Sequence, residues 1–425
     1  MGADSDLAAH WIPNRYLCGA CLYLHSVQMK IKFSSIVLVL ILLYGINYFI
    51  FERVFFFNEL ISLLGFLLFL RTSFLRPWRF RIPHSLIYKL VLVFIGVGLL
   101  HAVIGLFIKT NWYYYFRNLS ILYSVFGFFL GFYLYHEQFH FYRRLRGLIY
   151  GYGLLAFSTG KFGLIDRSSF TFWLALIQRR WNLLPVLLLM AVLGLYLLAY
   201  TSLTVFISGA AILAFLSIRR YSSFVFLSFI GATAIVVIFV LAIPYLRTYS
   251  VNPDLFFGDV VYVYNQHPWF NLDHNSSWRM ILWYRTLVEA FPQNLLGLGL
   301  GTPLLPYHPN VTTTDLGHPD EYIAHVIGAH NTFVTVYARL GLLSIIPLVA
   351  IYHRSLKEFF VHKAYYLTNR NDGGVFFGFI TITIVGFFNL LIETPTLASL
   401  YWVSMGFMAR AIYARQFENR EVQDL

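Results

Sequence analysis

The sequence predicts an all-α, polytopic membrane protein with about 12 transmembrane helices and one large extracytoplasmic loop before the last three. Three observations predict it. The 425-residue chain is 59% hydrophobic and only 12% charged, where a soluble chain is roughly a quarter charged. Apolar runs of about 17–20 residues, long enough to cross a hydrocarbon core of about 30 Å, recur from Ile36 to Tyr413. The basic residues gather in the short stretches between those runs. A β-barrel would instead alternate polar and apolar residues over ten-residue segments, a pattern this chain lacks.

Residues 1–32 form a cytoplasmic N-terminal extension. Met29-Lys-Ile-Lys ahead of an apolar run makes an ordinary start for a membrane protein, so translation from Met29 is an expectation that an intact mass would test. Cys18 and Cys21 form one CGAC without the βαβ surroundings of a redox pair. The first apolar run, Ile36–Phe51, lacks a small-residue cleavage site and is followed by another span, which argues against a cleaved leader.

Spans 1 to 9 occupy residues 33–243. They are Phe33–Phe51, Val54–Leu70, Leu90–Ile108, Leu119–Tyr135, Gly147–Ile165, a short or tilted sixth over Phe170–Ile177, Leu184–Tyr200, Leu203–Ile218 and Phe224–Ile243. A short aromatic loop, KTNWYYYFRN, joins spans 3 and 4. The large loop covers residues 244–329, and spans 10 to 12 (Asn331–Ile351, Val375–Ile392 and Ser399–Ile412) lie within residues 330–413. Residues 414–425 form a cytoplasmic tail. No internal repeat of fixed period is visible.

Charge sets the orientation. With the N-terminus inside, the short inner loops hold 16 Lys and Arg and the short outer loops hold 5, the bias expected of positive-inside topology. The sixth span is kept because without it this sign would reverse midway. The large loop then faces outward. The +12 net charge is therefore membrane topology and not a nucleic-acid footprint; no nucleic-acid partner is expected, and membrane lipids are. A loop of 86 residues is long enough to be a folded cap, and Trp278–Phe291 within it has helical apolar spacing.

Several residues carry potential chemistry. Arg279 opens that helical stretch; a guanidinium keeps its charge and binds phosphate bidentately, or it snorkels to lipid head groups. Arg285, six residues on, and Arg117, beside Trp112–Tyr115, are weaker cation candidates; Arg117 reads equally as an interfacial anchor. His330 stands where the polar loop enters span 10. An imidazole there can take a proton from a hydroxyl near neutral pH, or it can cap a helix, as Asn331 can. Gly297, Gly299 and Gly301 follow a helix rather than a strand, so they make no dinucleotide site; they predict a tight turn whose backbone passes close to something. His318, Asp320, Glu321 and His325 are loosely spaced around Pro319, a poor pattern for a metal site. Glu59, inside span 2, is an intramembrane carboxylate with no partner assignable from sequence.

Taken together, the span pattern with one large loop before the last three spans, the run RMILWYRTLVEAFPQNLLGLGLG (Arg279, Trp283, Pro292, Gly297, Gly299, Gly301) and HNTFVTVYARLG (His330, Asn331, Gly341) resemble the O-antigen ligase and O-antigen polymerase family of bacterial envelope proteins. The resemblance implies a membrane glycosyltransferase fold in the bacterial inner membrane with the large loop periplasmic. It implies transfer of a glycan from undecaprenyl diphosphate to a sugar hydroxyl, on lipid A core or on a second lipid-linked glycan, without metal or cofactor. It implies His330 as the base for the acceptor and Arg279 as the diphosphate ligand, with Asn331 and the three glycines in support. The family often carries a Ser-Arg where this chain has Thr201–Ala211, which holds no arginine, so that phosphate contact is either missing or supplied by another cation such as Arg117 or Arg285.

The residues fit that chemistry on their own terms. A diphosphate leaves readily once its charge is held, so one base, one or two arginines and a water-poor pocket suffice. Ligation is favoured over polymerisation by the His-Asn pair. A non-enzymatic flippase or transporter of the same lipid is the competing class; it would show repeated halves and broken spans, and the sequence displays neither.

Overall fold

The computed structural model describes residues 57–74, 83, 85–109, 112–135, 218, 220–248, 283, 285–289, 292, 295–302, 304, 329, 331–388, 391–392 and 395–423. The chain divides into two compact units, and the described residues all lie in the one formed by residues 56–135 and 165–425. Every regular element among them is helical. Spans 1 and 5 to 8, and most of the large loop, lie outside the described residues.

Helix α1 is Phe57–Phe74 and α2 is Leu86–Ile108. Ser85 caps α2 by accepting the Tyr88 N–H. The buried residues of α2, from Ile87 and Val91 through Phe94, Gly98, His101 and Ala102 to Gly105, recur every three or four positions and so share one face. Its other face shows Val93, Leu99, Val103 and Phe107 outward. A helix apolar on both its packed and its open side suits lipid rather than water. Helix α3, Trp112–Tyr123, passes through a short 3-10 turn, Ser124–Phe126, into a helical stretch over 127–135. It begins within the segment expected to be an aromatic loop: the connection from α2 is only a few residues, and Trp112, Tyr115 and Phe116 pack on one another as helix neighbours.

Helix α4, Tyr221–Thr248, meets the rest at its first turns, where the Tyr221 hydroxyl lies 2.6 Å from His353 Nδ1 and Phe224 packs on Phe360. Further on, Val225, Phe226, Phe229, Ile235, Ile238 and Leu241 are exposed apolar residues. Three helices, Leu86–Ile108, Tyr115–Tyr135 and Tyr221–Ile238, are long and apolar enough to cross a membrane, and they correspond to spans 3, 4 and 9.

The expected continuous span 10 is instead two helices. Helix α5, Thr332–Leu340, stops at Gly341, and α6, Leu342–Val361, restarts beyond it. Gly341 sits at φ 69° and ψ −174°, a backbone region essentially reserved for glycine. Helices α7 (Lys363–Thr368), α8 (Arg370–Phe388) and α9 (Pro395–Gln423) complete the described chain. Helix α9 runs on through most of the segment expected as a separate tail, because Arg415 and Gln416 bond Glu358 of α6 and tie that turn down.

The core lies where α2, α3, α6, α8 and α9 meet, with Tyr401, Trp402, Phe94, Phe128, Phe132 and Phe379 fully buried. Glu59 of α1, left without a partner by the sequence, accepts a 2.7 Å hydrogen bond from the Tyr123 hydroxyl.

The bundle has two chemically different ends. At one, Asp372 accepts hydrogen bonds from Tyr135 and from Tyr365, the latter at 2.7 Å, while Glu358 pairs with Arg415 and has Arg354 and His362 within 4.0 Å. At the other, the end of α2, the start of α3 and the break between α5 and α6 surround the Gly297–Gly301 turn, and the end of α8 lies against the start of α5.

Candidate functional site

The turn through Gly297, Gly299 and Gly301 is the centre of this second end. All three glycines have φ between 83° and 89°. Each also abuts another element so closely that a side chain would not fit. A Cβ on Gly297 would lie 2.5 Å from the Arg339 carbonyl oxygen and 2.7 Å from Gly341 N; one on Gly301 would lie 2.9 Å from Cβ of both Lys109 and Tyr115. The close approach expected of these glycines is thus made, and its target is the break between α5 and α6.

A helix that ends inside a bundle leaves its last carbonyls without helical partners. Here they are taken up from two directions. The Leu298 N–H donates to Ala338 O at 2.7 Å and the Gly299 N–H to Arg339 O at 2.9 Å. The Gly341 N–H closes on Tyr337 O at 2.8 Å. Arg339, fully buried, returns the interaction by donating from Nη1 to Thr302 O at 2.7 Å and Gly299 O at 3.3 Å. The Gly301 N–H donates to Asn118 Oδ1 of α3 at 3.1 Å, which fastens the far side of the turn.

Beside the turn, the backbone around position 330 is held from several elements. The Ala329 N–H donates to Thr335 Oγ1 at 3.0 Å, and the Ala329 carbonyl accepts from the Trp283 indole N–H at 2.6 Å. Trp283 packs against Leu304, Ala329 and Ala338. Asn331 caps α5 as expected: its Oδ1 accepts from the Phe333 and Val334 N–H groups at 2.9 and 3.1 Å, and its Nδ2 donates to Phe387 O at 2.9 Å. Thr332 Oγ1 accepts from the Leu391 N–H at 2.9 Å, which draws in the segment after α8.

Of the expected site residues, Arg279 and His330 themselves lie outside the described residues, as do His318, Asp320, Glu321, His325 and Thr201–Ala211. Arg285 opens a π-helical turn, Arg285–Glu289, whose Thr286 is fully buried; such widened turns recur at functional sites. Arg117 lies half-buried on α3, next in sequence to the Asn118 that holds Gly301. The structure therefore brings the glycine turn, Asn331 and the α3 segment bearing Arg117 to one end of the bundle.

Two residues central to this arrangement were not singled out by the sequence. Arg339 had a signal: a cation in an apolar run just before a glycine is an intramembrane charge of the kind that marks a site. Asn118 had none beyond its neighbour. The absence of broken spans, read from the sequence, is overturned by the break at Gly341. Among the described residues no cluster of three metal-ligating side chains occurs.

Comparison with family models, with curated proteins and with solved structures finds no match in any of the three. The functional reading therefore rests on the chain's own residues.

Proposed function

We propose that this protein transfers a glycan from an undecaprenyl-diphosphate carrier to a sugar hydroxyl at the outer face of the bacterial inner membrane, with lipid A core as the acceptor. His330 takes the proton of the acceptor hydroxyl as its oxygen attacks the anomeric carbon. The bond from that carbon to the diphosphate oxygen breaks, the configuration inverts, and undecaprenyl diphosphate leaves with its charge held by Arg279. Arg117 and Arg285 are the further cations of the pocket. No metal enters these steps. The basic end of the bundle, with Arg354, Arg410 and Arg415, faces the cytoplasm on the charge rule, so the glycine turn faces the periplasm.

The single observation that supports this reading is the 2.6 Å hydrogen bond from Trp283 to Ala329. Arg279 precedes Trp283 by four residues, a reach of at most about 14 Å even fully extended. His330 follows Ala329 directly. Two segments 46 residues apart in sequence are thus joined, one following Arg279 by four positions and the other preceding His330 by one.

The transport alternative now has one observation in its favour, the broken helix at Gly341. In transporters, however, unwound backbone coordinates the cargo ion. Here the carbonyls of Ala338 and Arg339 are taken by Leu298 and Gly299, which favours structural closure over an ion site.

The test is transfer by the purified protein in lipid nanodiscs, supplied with an undecaprenyl-diphosphate-linked glycan and lipid A core. His330→Ala should lower the rate by roughly 10²–10⁴-fold. Transfer at the wild-type rate by that variant refutes the enzyme reading. Product in which glycan units are joined on the lipid carrier, with the core left bare, moves the assignment from ligase to polymerase.

A further inference from the structure

We infer that Trp283 and Thr335 are positioning residues that fix the peptide preceding His330; this rests on His330 being the base proposed above. Ala329 is fully buried, and both of its backbone polar groups are engaged by side chains rather than by a helix or sheet ladder. Thr335 Oγ1 accepts its N–H at 3.0 Å and the Trp283 indole donates to its carbonyl at 2.6 Å. On the other side of position 330, Asn331 is held by Phe333 N, Val334 N and Phe387 O.

The two clamping side chains come from different parts of the chain. Thr335 belongs to α5 itself, one turn on from Asn331. Trp283 belongs to the large loop, and its ring is seated against Leu304, Ala329 and Ala338 with Leu298 and Val334 beside them. Those neighbours belong to the glycine-turn segment and to α5. The indole is thereby a strut: its ring is set by the turn docked at the helix break, and its N–H sets the peptide from which residue 330 follows. A base must stand within hydrogen-bond reach of the proton it takes, and a displacement of about 1 Å can lower a rate by about 10²-fold. Fixing the preceding peptide on both of its polar groups is how this chain meets that demand. Thr335 and Trp283 touch neither donor nor acceptor in this account; they act through residue 330.

Trp283→Phe keeps an aromatic ring in the apolar seat and removes only the N–H. Thr335→Val keeps the volume and removes the hydroxyl. In the nanodisc transfer assay, run well below the Tm of each variant, each should lower kcat by roughly 10–100-fold, with KM for the undecaprenyl-diphosphate glycan unchanged and Tm lowered only modestly by the buried Ala329 group left without its partner. Trp283→Ala should lower Tm as well, since it empties the seat. An unchanged kcat in Trp283→Phe overturns the inference, and so does a rise in KM, which marks a binding role, or a Tm as low as that of Trp283→Ala, which marks a packing role. His330→Ala run in parallel separates the failures. If it abolishes transfer while Trp283→Phe works at full rate, the strut alone is wrong. If His330→Ala transfers normally, the base assignment is wrong and the strut falls with it.

Discussion

Gly341→Ala is the most direct probe of the helix break. At φ 69° and ψ −174° the backbone is in a region where a non-glycine residue costs of order 1–3 kcal/mol. The new Cβ would also lie 2.5 Å from Leu296 C and 2.6 Å from the Leu295 carbonyl oxygen. Both are backbone atoms, so no side-chain rotation relieves the clash; the glycine turn itself must move. That movement pulls the Leu298 and Gly299 N–H groups off Ala338 O and Arg339 O, and each hydrogen bond lost adds about 0.5–1.5 kcal/mol. Displacing the Thr302 carbonyl also strips Arg339, a buried cation, of its 2.7 Å partner, a loss at the upper end for hydrogen bonds because the donor is charged. The expected destabilisation is at least about 3 kcal/mol, large against a typical folding free energy. The matched control is Gly374→Ala in α8, where a Cβ meets nothing within 4 Å and a helical Gly→Ala change gains about 0.5–1 kcal/mol. Thermal unfolding of the two variants in one detergent, followed by fluorescence-detected gel filtration, compares them directly. A Gly341→Ala protein as stable as Gly374→Ala would refute the account of the break.

Two further outcomes concern the opposite end. Burial, followed by the charges of Arg415 and Arg354, holds His362 below the usual imidazole range, and Glu358 only partly opposes them. Above about pH 6.5 the imidazole is neutral folded and unfolded; as the pH falls the unfolded chain takes the proton first, so stability is lost on the acid side. His362→Gln should therefore lose less Tm than the wild type between neutral pH and about pH 5, and an equal loss would remove His362 from the account. Glu358→Gln leaves Arg415, with its side chain 10% exposed, beside no carboxylate. That change should cost about 3–5 kcal/mol, whereas Glu358→Gln with Arg415→Met should recover most of it, a recovery measurable as Tm in the same detergent.

Much of the helical frame was legible in the sequence. The apolar runs at 90–108, 119–135 and 224–243 reappear in helices long enough to cross a membrane, because length and apolarity are local properties. The conformational freedom of Gly297, Gly299 and Gly301 was legible too, and so was Asn331 as a cap. The break at Gly341 was not. A glycine between two apolar stretches reads the same whether the helix continues or stops, and what stops it here is a turn some forty residues upstream. The Glu59–Tyr123 bond and the role of Arg339 were hidden for the same reason: each depends on a partner that only tertiary packing supplies.

The glycine turn also sets an order of assembly. Its contacts are with residues made long before it (Gly105, Tyr115 and Asn118) and with residues made after it (Ala338 to Gly341). During synthesis α2 and α3 can insert on their own apolarity, but the carbonyls at the end of α5 have no mates until this loop has folded back onto them. Hydrocarbon offers such groups no alternative. The packing of α5 and α6 therefore waits on the loop, and this end of the bundle is completed only when the ribosome has made most of the chain.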